Sequence, residues 1–349
     1  MIARLVQRIG LPADITHFAP ITGTTVAGEP IRPLRALRHS NADAVLVGGG
    51  DLLRLDTTTV ALDHMAVPEA ERHGFWVRLR VEAFRRRHYL RGPGVWLPQD
   101  DWITGVPTAL VSVGARRLAP DTRVQAAVSR LKGVWARTPY AAHQIGALGL
   151  DVDRIVVAPD MIFAHPALSA QRAAAKRGRQ IVRDLLDVEE PLVVFQAARA
   201  HGWPEARVEA VLNSLHGLPV AVLSLGARPD EERALTAAAQ RTGADTLFGL
   251  NADEIVCVLA AAGIVFTTNA HAALVAGSFG TPVLVPSAAK TSVTFATCPH
   301  PPHIEGVNDA DLAATVRARH DDRRLHDPAP NASAAEAAMS AILDLAGVV

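Results

Sequence analysis

The stretch from Gly263 to Pro286, GIVFTTNAHAALVAGSFGTPVLVP, limits the possible folds more than any other part of the chain. Ile264 to Thr267 is apolar and β-branched, Thr268 and Asn269 make a turn, and His271 to Phe279 is helical and rich in Ala. Gly280-Thr281-Pro282 stops that helix, and Val283 to Val285 is a second apolar strand. Two continuously apolar strands joined by a helix form one βαβ unit of a parallel sheet covered on both faces. Such sheets bind ligands at the carboxyl ends of their strands, where the helices begin. His271 falls there, on the first turn after a strand. Two readings of it stand: a polar residue finishing a helix end, or an imidazole placed for chemistry.

The same alternation extends in both directions. On the amino-terminal side Ile2–Gly10 reads as a short helix, Asp14–Phe18 as a strand and Ile31–His39 as a helix. Ala42–Val47 is a buried strand that runs into Gly48, Gly49, Gly50 and Asp51. Three glycines after a strand let backbone N–H groups approach an anion or a sugar diphosphate, or simply permit a tight exit. No Gly-Lys-Ser/Thr and no Gly-x-Gly-x-x-Gly is present, so neither a Walker loop nor a dinucleotide fingerprint is implied. Strands at Pro107–Val113, Gly133–Ala136 and Ile155–Ala158 follow, with helices at Asp121–Leu131 and Tyr140–Leu148 between them. Arg137, at a strand-to-helix junction, either faces a ligand or pairs with Asp160.

A chain of 349 residues, 49% of them hydrophobic, can bury two cores of ordinary size. The alternation predicts an α/β protein with two doubly wound Rossmann-like domains facing a cleft. The first spans residues 1–165, its opening strand and glycine turn not visible. Residues 166–190 read as a linker with a basic surface helix, 191–330 as the second domain and 331–349 as a last helix. In the second domain Pro191–Gln196, Val220–Leu225 and Thr246–Phe248 are strands, and Pro204–Leu215, Pro229–Thr242 and Ala252–Ala262 are helices. Ala310–Arg319 and Ala332–Leu345 are Ala-rich helices.

Basic and acidic residues balance at 35 each, which gives no electrostatic reason to expect a nucleic-acid partner. Cys257 and Cys298 make no disulfide framework, and no run of about 18 apolar residues is present. A cytoplasmic protein is expected. The basic, aromatic run Arg72–Arg91, RHGFWVRLRVEAFRRRHYLR, is either a solvated helix face with Phe75, Leu79 and Phe84 turned inward or a surface that meets phosphates. Those phosphates would belong to an activated sugar or to a polyprenyl diphosphate at the membrane face.

The order GGGD after a strand, a strand leading to a glycine, then Arg137-Thr138-Pro139-Tyr140 and a strand ending Pro159-Asp160 resembles the polysaccharide pyruvyl transferase family. The similarity is strongest at Thr268-Asn269-Ala270-His271-Ala272, Gly280-Thr281-Pro282 and Lys290, and it spans about Ala42 to Lys290. The chain has Asn269 where the family has arginine, and Thr138 where it has aspartate. The resemblance implies transfer of a pyruvyl group from phosphoenolpyruvate, as donor substrate and without a cofactor, to a sugar of a cell-surface glycan or its lipid-linked precursor. It makes His271 the candidate for proton transfer. Arg137, Arg199 and Lys290 become candidate anion holders, with His201, Asn269 and Gly48–Asp51 beside them.

A GT-B-type glycosyltransferase using a nucleotide sugar would share this GT-B-like architecture. A catalytically degenerate binding protein is a third expectation, suggested by Asn269 and the missing first strand. Cys298-Pro299-His300-Pro301-Pro302-His303 offers zinc three ligands, but the interleaved prolines favour an extended loop, and no metal is expected. Ser112 and Ser224 sit near strand ends outside any Gly-x-Ser-x-Gly, so a hydrolase elbow is not indicated.

Overall fold

The computed structural model describes residues 1–19, 23–24, 29–50, 58, 61–62, 65, 67, 72–87, 105–115, 122–197, 203–225, 229–286, 295–324 and 326–348. The chain divides into two compact units. Unit 1 holds Met1–Met161, Ala296–Cys298 and Ser333–Val349, and unit 2 holds Ile162–Phe295 and Pro299–Ala332.

Unit 1 is built on four parallel strands in sequential order: β4 (Val45–Gly50), β5 (Thr108–Val113), β6 (Gly133–Ala136) and β7 (Ile155–Val157). Strands β5 and β6 are buried along their whole length, as expected of runs such as TALVSV and GVWA covered on both faces. The indole of Trp135 is fully buried and donates to the carbonyl of Ala158 at 3.2 Å, which satisfies its one polar atom. The carboxyl-terminal part of the Ala329–Leu345 helix belongs to this unit. Gly133 leaves room for Ile342 and Leu345, and Arg8 pairs with Glu336 at 2.5 Å.

Two expectations for this half are corrected. The strand that was to end at Val47 continues through Gly50, with Gly48 opposite Val111 and Gly50 opposite Val113. The glycines are therefore part of the ladder, and two of them have a structural reason: the Ile2 side chain fills the place a Cβ on Gly48 would take, and Gly49 has φ +78°. Ile31–His39 is not one helix. Pro30–Pro33 is strand β3, and Leu34–His39 is a 3-10 helix entered through Pro33. Strand β3 pairs in parallel with β1 (His17–Ala19) and antiparallel with β2 (Gly23–Thr24), forming a small separate sheet.

Unit 2 carries six parallel strands in the order β10-β9-β8-β11-β12-β13. They are β8 (Val193–Gln196), β9 (Val220–Leu223), β10 (Asp245–Leu247), β11 (Ile264–Thr267), β12 (Val283–Val285) and β13 (Glu305–Gly306). At the centre, Phe195 and Phe266 stack at 5.0 Å, and Trp203 meets the Phe195 edge at 5.9 Å. Arg207 lies 4.0 Å over the Trp203 ring and bonds Asp309 with two N–H groups at 2.6 and 2.8 Å, which closes the edge of this core.

Residues 166–190, expected as a linker with a basic surface helix, contain the Gln171–Leu186 helix. Its buried Ala174, Gly178, Ile181 and Val182 recur at helical spacing and make one face, packed on the Ala252–Ala261 helix. At Gly178 a Cβ would collide with the backbone carbonyl of Cys257, so only glycine allows the two helices this close. Gly280 is constrained twice, by φ +71° and by the carbonyl of Arg324.

Changing Gly178 or Gly280 to alanine is expected to destabilise by about 1–3 kcal/mol, the usual cost of overpacking, although alanine favours helix at position 178. Urea titration of each variant measures it. A pH effect follows from His326, whose ring stacks on His300 at 4.6 Å. Burial, and then the neighbouring His300, hold its pKa below the usual 6.5. The folded state thus binds this proton less well than the unfolded chain. Its contribution to stability is present above about pH 6.5 and is lost as pH falls. Melting between pH 7.5 and 5 is expected to show that loss, and His326→Phe to reduce it.

Candidate functional site

In unit 2 the strand order reverses between β8 and β11, the two strands from which the chain proceeds in opposite directions across the sheet. The carboxyl ends of strands at such a switch point form the natural crevice of an open α/β sheet. Here those ends are polar although the strands are not. Gln196 and Thr267 pair across the register, and both are buried. Thr267 donates its hydroxyl to Gln196 Oε1 at 2.5 Å, and the Thr267 hydroxyl oxygen accepts from the backbone N–H of Asn269 at 2.9 Å.

Asn269 is the N-cap of the Ala270–Ser278 helix. Its Oδ1 accepts from the backbone N–H of His271 at 2.9 Å and of Ala272 at 3.1 Å, which satisfies two donors at the helix start. From Val258 to Thr281 every residue is buried except Asn269, Ala270 and His271. The expected helix start is thus found, and between Val258 and Thr281 it is where the segment is partly exposed. The imidazole of His271 is half-buried there: it is neither sunk in hydrocarbon nor fully solvated.

The matching edge of unit 1 is organised differently. Arg137, at the end of β6, pairs with Asp160 through Nη1 and Oδ2 at 3.1 Å, with side chains only 11% and 4% exposed. Of the two sequence readings of Arg137, the ion pair is present. Thr138 caps the following Pro139–Gly146 helix by accepting from Ala141 N, so this threonine has a local structural task. Ser112 on β5 has φ 54° and accepts from Met161 N at 3.0 Å. Gly48, Gly49 and Gly50 end β4 on this same edge.

Asp51, Arg199, His201 and Lys290 lie outside the described residues, so their geometry adds nothing here. Gln196 and Thr267 were missed by the sequence reading. The available signal was a polar residue closing each of two apolar strands. In the Cys298–His303 segment, His300 Nδ1 donates to the carbonyl of Asp327 at 2.8 Å, and among the described residues no group of three or more His, Cys, Asp or Glu could hold a metal ion. The Cys298 thiol is pushed up to about 12 by burial and then by the nearby charge of Asp160, so it is no nucleophile at neutral pH.

No family model matches the chain, and no curated protein matches it. Solved structures do. The UDP-GlcNAc 2-epimerase of Methanocaldococcus jannaschii is 12% identical with a TM-score of 0.53, covering 95% of this chain and 86% of its own. The S. aureus MnaA–UDP co-structure is 15% identical with a TM-score of 0.50, covering 100% and 80%. At these identities the likeness concerns architecture. The chain has a GT-B-like α/β fold with parallel sheets, in accord with the expected fold class.

Replacing Asn269 with alanine is expected to cost about 1 kcal/mol, the usual worth of an N-cap, while aspartate at 269 restores most of it. Arg137→Ala leaves the Asp160 carboxylate buried without its guanidinium and is expected to cost about 3–5 kcal/mol. Denaturant midpoints compare the two.

Proposed function

We propose that the chain is an enzyme acting on a nucleotide sugar, with unit 2 receiving the nucleotide-bearing end at the switch point between β8 and β11. The observation that carries this is the partly exposed helix start Asn269–His271, located at the carboxyl ends of β8 and β11 where an open α/β sheet binds its ligands. The fold likeness supports the same reading, since one similar structure is a UDP-GlcNAc 2-epimerase and another holds UDP. In this assignment His271 transfers a proton at the sugar, since an imidazole can either give or take one. Gln196, Thr267 and Asn269 set the backbone that carries it. Arg199 and His201, which follow β8 in the sequence, and Lys290, which follows β12, are assigned to the phosphates. Arg137 is a structural ion-pair partner of Asp160 in this reading.

Ketal-forming pyruvyl transfer from phosphoenolpyruvate to a sugar is the second reading. Its support is the sequence pattern Thr268-Asn269-Ala270-His271 with Gly280-Thr281-Pro282. Ligand-dependent melting separates the two. UDP and UDP-GlcNAc are expected to raise the melting temperature and phosphoenolpyruvate to leave it unchanged. A shift with phosphoenolpyruvate alone would reverse the order of the readings, and a shift with none of the three would point to a binding protein that has lost this chemistry. Once a turned-over substrate is in hand, His271→Ala is expected to lower kcat about 10²- to 10⁴-fold, the range of general acid–base catalysis. Unchanged turnover would remove His271 from the reaction.

A further inference from the structure

The Phe75–Arg87 helix of unit 1 has two faces that solve different problems. Val77, Val81 and Phe84, spaced as one helical stripe, pack on Ala61, Leu62, Met65 and Val67. The helix is therefore already anchored to its own unit. The opposite face needs another explanation, because Phe75 is 68% exposed, Trp76 75% and Leu79 48%. The sequence reading that turned Phe75 and Leu79 inward is corrected here, and of its three apolar residues Phe84 alone packs inward. The rings of Phe75 and Trp76 meet edge-on at 5.5 Å and form one patch. Single exposed apolar residues are ordinary, but two large aromatics and a leucine within five residues are a contiguous patch.

The charge around this patch is one-sided. The helix carries five arginines and one acidic residue, Glu82, which is shared by Arg85 at 3.1 Å and Arg86 at 2.9 Å. Arg78, Arg80, Arg86 and Arg87 are exposed. The whole chain is electrically balanced, so this is a local concentration of positive charge with no counterpart in the composition. A helix with Trp, Phe and Leu on its outer side and arginines beside them has the chemistry of an element lying in the headgroup region of a bilayer. The rings enter the acyl boundary and the guanidinium groups meet lipid phosphates.

We propose that the Phe75–Arg87 helix docks this protein on an anionic phospholipid surface. Charge complementarity selects that occupant, and Leu79 separates it from a nucleic acid: an aliphatic side chain gains nothing from base stacking but does gain from entering hydrocarbon. The inference is independent of the chemistry proposed for unit 2.

The test is co-sedimentation of the full chain with vesicles of phosphatidylcholine alone and of phosphatidylcholine mixed with phosphatidylglycerol. Pelleting is expected with the mixed vesicles, weakening as salt is raised and near background with phosphatidylcholine alone. Two variants are compared, Phe75→Ser/Trp76→Ser/Leu79→Ser and Arg86→Glu/Arg87→Glu. Each is expected to lower partitioning about tenfold or more, with an unchanged far-ultraviolet circular dichroism spectrum and melting temperature because the altered side chains are exposed. Absence of pelleting, equal pelleting with neutral vesicles, or variants that partition like the parent would overturn the proposal. So would retention on single-stranded RNA without vesicle binding, or a dimer in sedimentation velocity that the serine variant dissolves while no vesicle binding is seen.

Discussion

One buried hydroxyl sets the geometry of the candidate site. Thr267 ends β11 inside the sheet, where an unpaired polar atom would cost about 1–3 kcal/mol. It meets this by donating to Gln196 at the end of the neighbouring β8 and by accepting from the N–H of Asn269. The first bond ties together the two strands at which the sheet changes direction. The second fixes the turn, so that the Asn269 side chain points back to the start of the next helix and caps it. His271 is placed by this sequence of obligations before any ligand is considered. The Thr267 hydroxyl, Gln196 Oε1 and Asn269 Oδ1 all carry bonds within this cluster, which is how a small site can be rigid on a fold that is otherwise apolar at this point.

The corresponding edge of unit 1 follows the same rule with different groups. Asp160 is nearly inaccessible and carries a charge, so it needs a fixed cation, and Arg137 supplies one from the end of β6. Ser112 adopts the left-handed region within β5, a conformation that costs a non-glycine residue about 1–3 kcal/mol. The pairing of β5 with β6 is irregular between Leu110 and Val113, and the Ser112 hydroxyl accepts the N–H of Met161. Strain in β5 is thereby coupled to the chain segment after β7, and the Met161 methyl group in turn lies 3.0 Å from where a Cβ on Gly49 would be. The ends of all four strands are interlocked by the protein's own side chains.

What could be read from the sequence was what periodicity encodes. The βαβ unit from Ile264 to Val285 and the strand Gly133–Ala136 were legible because continuous apolar runs bounded by Gly, Pro or Asn have few other solutions. The errors occurred where two signals competed. The glycines after Val47 looked like an exit turn, because the side chain that Gly48 makes room for is Ile2, more than forty positions away, which no local pattern can reveal. The helix in residues 171–186 was legible but its buried face was not, because five basic side chains outweighed Ala174, Gly178, Ile181 and Val182, small or β-branched residues whose spacing carried the packing. His271 was legible from its position after a strand. Gln196 and Thr267 were not, since their importance comes from β8 and β11 being neighbours, and adjacency of strands so distant in sequence is a property of topology.

The choice between the two functional readings turns on the task Asn269 already performs. A small, highly charged acid such as phosphoenolpyruvate concentrates its charge on a carboxylate and a phosphate and needs fixed cations close by, for which arginine is best suited. At position 269 the pyruvyl transferase pattern has that arginine. Here the residue is an amide whose oxygen is occupied by the N–H groups of His271 and Ala272. The amide cap takes up donors that would otherwise face an anion, and it brings no charge of its own. A nucleotide sugar depends less on one such contact, because base, ribose and sugar spread recognition over a longer surface and only the diphosphate asks for positive charge. A half-buried imidazole beside a neutral, capped helix start is therefore better matched to proton transfer on an uncharged sugar ring than to gripping a compact anion.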